Sequence, residues 1–317
     1  MRAHLIWNPA AGQHDVRRYL EEAMDTLEGA GWSVRMLETR NPGDGMRLAR
    51  AAVAEGVQVA IAAGGDGTVN EVVNGLAGSS VALGVLPVGT GNVWAKELGF
   101  VGMLPTLRNP LREAATALTI SATHDVDLGL ANGRYFLLWA GLGFDAQVTH
   151  EVEPQHETRR RVGNLLYATE SLRVALQFAG SHSTVTIDGR RHHQRVVELV
   201  IANAQLYSGG LVRVAPAACM VDGCLDVCIF QDRGPGSTLH HIIGLLARSH
   251  VHDPQVAFYR ARRIEIEADR PMPVQIDGDA YGTTPLAVEV VPAALRVLVP
   301  PTAPASLFQR PQLACAP

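Results

Sequence analysis

The sequence predicts an α/β fold: an N-terminal parallel-sheet domain followed by a C-terminal antiparallel β-sandwich domain. Three observations predict it. Strand and helix signals alternate through residues 1–124, short β-branched segments take over in 125–299, and a proline-rich tail follows from Pro300. At 317 residues the chain exceeds the usual size of one domain, so two are expected, with the tail 300–317 irregular and packing back on the first.

HLIWN (4–8) is a short apolar strand that stops at Pro9, Ala10, Ala11 and Gly12. Residues 15–29 set Val16, Tyr19, Leu20, Ala23, Met24 and Leu27 at helical spacing. SVRMLET (33–39) reads as a strand, 44–55 as a helix, and VQVAIAA (57–63) as a fully apolar strand. GGDGT then leads into a helix from about Val69 to Leu76, with Thr68 as its cap or as a phosphate donor. VALGVLPVG (81–89) is the next strand, and GTGN (89–92) opens another helix. Such alternation implies βαβ units, and in parallel sheets ligands sit at the carboxyl ends of the strands. NPAAG, Thr39, GGDGT and PVGTGN all fall there. Beyond residue 124, HDVDLGL, RYFLLWAGLGF, STVTIDG, RVVELVIANA, CLDVCIF, RRIEIEA, MPVQIDG and AVEVVP read as antiparallel strands. Helices are expected at 159–179 and 236–248.

Composition excludes several classes. Apolar residues make up 47% and charged residues 18%, which provides for real cores and argues against disorder. A formal charge of −4 is no field for nucleic acid, so no nucleic-acid partner is expected. Four cysteines without a CxxC pair suggest a reduced, cytoplasmic setting. No segment approaches the roughly 18 apolar residues of a membrane span, so any membrane is met from its surface, at the inner face.

The stretch GGDGTVNEVVNG (64–75) carries the sharpest signal. Glycines permit close backbone approach, and a helix start turns unpaired N–H groups toward the loop. Asp66 would repel a bare phosphate, so the carboxylate makes sense with Mg²⁺ between it and the phosphates. A glycine turn with an ordinary cap explains any one such loop. Three on one sheet edge, with PVGTGN and NPAAG, favour a nucleotide-phosphate cradle. Neither the P-loop nor the dinucleotide fingerprint is present.

Here the chain resembles the diacylglycerol-kinase catalytic-domain lipid kinases, which include bacterial diacylglycerol kinases, sphingosine kinases and ceramide kinases. The matching stretches are NPAAG (8–12), GGDGTVNEVVNGL (64–76), PVGTGNVWAKELG (87–99), AGLGFDAQV (140–148), RRRVGNLLY (159–167), ANAQLYSGGLVRVAPAACMVDGCLDV (202–227) and IDGD (276–279). The GGDGT element also occurs in NAD kinases and resembles the phosphofructokinase loop, which is the fold implied for the first domain. The downstream run is what selects the lipid kinases. The resemblance implies ATP binding by Asn8, Pro9, Ala10, Ala11, Gly12, Thr39, Gly65, Asp66, Gly67, Thr68, Val69, Asn70, Glu71 and Thr90. It implies a second, structural Mg²⁺ on the Asp222 carboxylate and the main-chain oxygens of Cys219 and Cys224. A zinc cluster of Cys219, Cys224 and Cys228 lacks ligand spacing and a fourth partner. The family usually has D-G-E where this chain has Asp277, Gly278 and Asp279, so the expected base, Asp279, is one methylene short. Asp277 is the alternative base or a metal contact. A plain hairpin turn also accounts for the residues alone.

The implied activity is ATP- and Mg²⁺-dependent phosphorylation of a lipid alcohol such as diacylglycerol, ceramide or a sphingoid base. A small-molecule kinase of the NAD kinase type, or a weakly active binding homologue, is the alternative. Asp127 is read as a turn or hinge hydrogen-bonder and Asp145 as facing the interdomain cleft. Arg159, Arg160 and Arg161 begin an amphipathic segment suited to anionic headgroups or simply to solvent. An edge strand of the second domain is a candidate for pairing in a homodimer. The four histidines of LHHIIGLLARSHVH are read as exposed helix residues and not as a metal site.

Overall fold

The computed structural model describes residues 1–12, 16–100, 109–152, 178, 180–234 and 236–309. The chain divides into two units. The first holds Met1–Leu128, Cys219–Asp222 and the segment beginning at Val291; the second holds Gly129–Ala218 and Gly223–Val290. The first division therefore falls at Leu128 instead of 124.

In the first unit, β1 (Arg2–Trp7), β2 (Ser33–Glu38), β3 (Val59–Gly64) and β4 (Ala82–Pro87) are parallel in the order β2-β1-β3-β4. β3 is buried over its whole length, as a central strand covered on both faces requires. The helices are α1 (Arg17–Gly29), α2 (Asp44–Ala54), α3 (Asp66–Leu76), α4 (Val93–Glu97) and α5 (Pro110–Thr119). Leu20, Leu27, Leu111 and Leu118 pack with Leu5, Ile61 and Leu86 in one core. α5 was not expected. Asn109 caps it by accepting from Arg112 N, with Pro110 in the first turn, both ordinary start signals.

β5 (Ala122–Ala131) leads into the second unit, an antiparallel assembly. Its elements are β6 (Arg134–Phe136), β7 (Trp139–Gly143), α6 (Phe144–Val152), β8 (Ser181–Ile187), β9 (Arg190–Ala202), β10 (Leu206–Tyr207), β11 (Val212–Arg213), β12 (Leu225–Gln231), α7 (Ser237–Leu246), β13 (Val256–Ala261), β14 (Arg263–Ala268), β15 (Pro273–Ile276), β16 (Asp279–Thr283) and β17 (Leu286–Val299). The long β9 pairs with β7, β8 and β12, and Leu142, Leu199, Ile201, Ile229, Ile264 and Ile276 share the core. RYFLLWAGLGF, read as one strand, is two. AVEVVP belongs to a much longer strand: Leu286 to Glu289 pair antiparallel with β14, and Arg296 and Val297 pair parallel with β4.

The expected helix at 159–179, with Arg159, Arg160 and Arg161, lies outside the described residues. In the tail, Thr302 Oγ1 donates to Leu98 O at 2.9 Å. α8 (Ala305–Phe308) follows, and its Leu307 O accepts from Met220 N at 2.9 Å.

Candidate active site

The carboxyl ends of β1, β3 and β4 carry the glycine loops, and the loops pack on one another. A Cβ on Gly89 would lie 2.5 Å from Gly65 Cα, and one on Gly12 would lie 2.7 Å from Val88 O. A Cβ on Gly64 would lie 2.4 Å from Thr68 Oγ1. Gly12 and Gly89 are therefore required first for loop-to-loop contact, and Gly64 for the close turn into the helix that carries Thr68. Asn8 ties two of the loops together: its Nδ2 donates to Thr68 Oγ1 at 3.1 Å, and its Oδ1 accepts from Ala10 N at 2.9 Å. Thr39 is buried and donates its N–H to Trp7 O at 2.8 Å, whereas Thr90 is exposed.

α3 starts three residues earlier than expected. Gly65, in extended conformation, is the N-cap, so Thr68 is not. The first intrahelical bond runs from Val69 N to Gly65 O at 3.0 Å, so the amides of Asp66, Gly67 and Thr68 fall outside the helix's own ladder. Amides at a helix start, with the positive end of its dipole, suit an anion such as a phosphate. Val69 offers no such donor, because its N–H is spent in the helix and its side chain is in the core.

Two carboxylates of this stretch hold backbone. Asp66 Oδ1 accepts from Val93 N at 2.7 Å and lies 3.5 Å from Trp94 N, holding the start of α4. A Cβ on Gly91 would lie 2.6 Å from Asp66 Oδ2, which is why that position is glycine. Glu71 accepts from Gly43 N at 2.7 Å and from Gly45 N at 2.8 Å, one bond per oxygen. Glu71 thereby fixes the left-handed Gly43 turn at the start of α2. Asn70 is buried, and its carbonyl accepts from Asn74 Nδ2.

In the second unit the turn at 277–279 divides its carboxylates sharply. Asp277 is 4% exposed and accepts from Leu137 N, Leu138 N and Trp139 N at 2.9, 2.9 and 3.0 Å. Both of its oxygens hold the β6–β7 corner, which is what splits the expected single strand. This corrects the reading of Asp277 as a base: three backbone donors fix an ionised carboxylate as an anchor. Asp279 differs. Its Oδ2 accepts from Arg134 Nη2 at 2.7 Å, the pair is only partly buried, and the Arg134 guanidinium lies over the Tyr281 ring.

A buried glutamate, Glu198, and the half-buried Asp145 back this turn. Glu198 Oε2 accepts from Asp145 N at 2.9 Å. Tyr207 Oη lies 2.7 Å from Asp145 Oδ2 and 3.2 Å from Glu198 Oε1. The phenol thus bridges the two carboxylates. Burial, then the Asp145 charge, pushes the Glu198 carboxyl well above its ordinary value. Gln275 continues the chain: Nε2 donates to Asp145 Oδ2 at 3.3 Å, and Oε1 accepts from Gly278 N at 2.8 Å. Glu198, Gln275 and Arg134 had no motif to reveal them, and Tyr207 lies in the quoted run 202–227 without having been singled out.

Cys219 and Asp222 lie in the first unit, and Cys224 in the following segment of the second. Met220 O accepts from Asp127 N at 2.7 Å, and Asp127 Oδ1 accepts from Ala293 N at 2.8 Å, so Asp127 is the hydrogen-bonder expected. Cys219 and Cys228 are buried free thiols and Cys224 is disulfide-bonded, which the spacing did not signal. Cys228 Sγ donates to Val214 O, and burial raises its pKa well above the ordinary value.

A parallel sheet edged with glycine loops, followed in one chain by a β-sandwich with a carboxylate turn, is the make-up of a two-domain kinase. Residues 2–131 match the diacylglycerol kinase catalytic domain, and residues 139–299 match the YegS C-terminal NAD kinase beta sandwich-like domain. A diacylglycerol kinase of Bacillus subtilis (strain 168) is 29% identical, with 90% of this chain and 91% of that protein covered. One of Staphylococcus aureus (strain MRSA252) is 30% identical over 90% of this chain and 88% of its own length. A solved structure described as a putative diacylglycerol kinase from Bacillus anthracis str. Sterne superposes with a TM-score of 0.78 at 26% identity, over 96% of this chain and 98% of that one. The chain belongs to the diacylglycerol kinase family. It is a kinase with an alcohol group as acceptor.

Proposed function

We propose that this kinase transfers the γ-phosphoryl group of ATP to the hydroxyl of a membrane lipid, with diacylglycerol as the first acceptor to test. The observation that carries the reading is the helix start at Gly65–Thr68, set among loops that approach one another too closely for any side chain. Asn8 to Gly12, Thr39, Gly65, Gly67, Thr68 and Thr90 would hold ATP along that edge. Magnesium bound near Asp66 would offset phosphate charge. A second ion on Asp222 and the carbonyls of Cys219 and Cys224 suits the oxygen-only donor set that magnesium prefers.

Asp279 is the base in this reading. Arg134 engages its Oδ2 and orients the carboxylate, leaving Oδ1 to accept the lipid hydroxyl proton. The lipid is met at the cytoplasmic membrane surface; no helix among the described residues is long and apolar enough to cross a membrane. A homodimer would use β13, which pairs only with β12 among the described residues.

Labelled ATP should be offered with diacylglycerol, ceramide, sphingosine and a polyprenol-like alcohol in mixed micelles, beside NAD⁺ in solution. A labelled lipid without labelled NAD⁺ is the expected result, and Asp279→Glu should keep or raise the rate. Preferential labelling of NAD⁺, or tight ATP binding with no lipid product, would overturn the proposal.

A further inference from the structure

Two of the four histidines expected to be exposed helix residues, His241 and His250, are buried. His241 is the informative one. It sits in α7 beside the exposed His240, and both rings face Asp253 in the turn before β13. The ligand atoms of the three side chains lie within 4.8 Å of one another.

The hydrogen bonding fixes the chemistry of each atom. His241 Nε2 lies 2.8 Å from the carbonyl of Gln231, so that nitrogen carries the proton and donates. His241 Nδ1 is then a bare lone pair. It is buried, has no hydrogen-bond partner, and faces Asp253 Oδ2 at 4.0 Å. Two electron-pair donors thus face each other across this gap, while His240 Nε2 meets the same Asp253 oxygen at 2.6 Å.

We propose that His240, His241 and Asp253 form a binding site for one divalent transition-metal ion of the zinc class. Zinc bonds nitrogen and oxygen at about 2.0–2.2 Å in tetrahedral geometry, which sets ligand atoms about 3.4 Å apart, so the 4.0 Å gap between His241 Nδ1 and Asp253 Oδ2 must narrow slightly as the ion enters. His240 Nε2 lies 2.6 Å from Asp253 Oδ2, and its exposed side chain has room to turn and become the third ligand. To bind the ion, His240 Nε2 must exchange its hydrogen bond to Asp253 for the metal. Solvent fills the remaining position.

The outer partners carry an independent sign of such a site. A metal-ligating histidine donates its other N–H to a carbonyl or carboxylate, and a ligating carboxylate is itself hydrogen-bonded. His241 meets the first condition through Gln231, and Asp253 meets the second, its Oδ1 accepting from Gln255 N at 2.8 Å. Two imidazoles and one carboxylate exclude magnesium as the natural occupant and suit zinc, cobalt or nickel. The ion would clamp α7 to the turn before β13. This site involves none of the residues assigned to phosphoryl transfer, so its test is separate.

The test is equilibrium dialysis of the metal-stripped full-length protein against zinc chloride, with bound zinc counted and thermal unfolding followed in parallel. One equivalent of zinc and a rise in Tm with zinc concentration are expected. His240→Gln alters an exposed ring and leaves the core intact. It should weaken zinc binding by roughly tenfold or more, and Asp253→Asn should do the same. Cobalt as a spectroscopic probe should show visible bands in the wild type that are lost in His240→Gln. A wild type that stays zinc-free while folded, or binding unchanged in folded His240→Gln, would overturn the proposal. Should Asp253→Asn fail to fold, the His240→Gln result decides.

Discussion

The Asp66 loop and the 277–279 turn are two strand ends of similar composition, and they use their carboxylates differently. Each combines aspartate with glycine, and each invites a catalytic reading of its aspartate. Asp66 gives one oxygen to Val93 N and lies against Gly91 with the other. Asp277 gives both oxygens to three consecutive backbone amides. Two residues on, Asp279 faces an arginine and is open to solvent on one side. A motif carboxylate is thus an anchor or a reagent according to how many donors already hold it. Spacing alone does not reveal that number.

The largest effects should come from splitting the second turn. Asp277→Ala leaves three buried amides without an acceptor, at roughly 1–3 kcal/mol each, and should cost on the order of 4 kcal/mol in urea unfolding. Asp279→Ala should leave stability within about 1 kcal/mol of wild type, since partly exposed ion pairs contribute little. Its phosphotransfer rate should fall about 100-fold or more, the usual worth of a general base. Equal effects of the two variants on stability would erase the distinction.

Asp66 is dissected in the same way. Asp66→Asn keeps an oxygen for Val93 N, so unfolding should shift by less than about 1 kcal/mol, whereas a charge needed at the phosphates would cost roughly 100-fold in rate. A fully active Asp66→Asn protein would make Asp66 an anchor like Asp277. Gly89→Ala comes next. Its Cβ would lie 2.5 Å from Gly65 Cα, and forcing the loops apart should cost about 1–3 kcal/mol, read in the same denaturation assay.

The fold of the first unit was legible because its strands are uniform apolar runs and its helices keep a 3.6-residue period. Asn109 and Pro110 mark the start of α5, a signal present in the sequence. The corner at Leu137 was not legible, because it depends on an aspartate 140 residues away in the chain. The same holds for Glu71 and the Gly43 turn, while His241 is buried against Phe230 of the preceding strand, a contact that its helix alone does not reveal. The glycine loops were found from sequence, but not their first reason, which is contact with each other.

Glu198 provides the gentlest test, one of sign. An unfolded glutamate releases its proton near its ordinary value of 4.5, while buried Glu198 keeps its proton to higher pH. Between those two points the folded state holds more protons than the unfolded state, so stability falls as pH rises. Glu198→Gln has no proton to lose, and its side-chain amide can still donate to Tyr207 Oη while its oxygen accepts from Asp145 N. Urea midpoints measured from about pH 5 to about pH 8 should therefore decline less in Glu198→Gln than in the wild type. A parallel decline in the two proteins would mean that Glu198 is ionised in the fold.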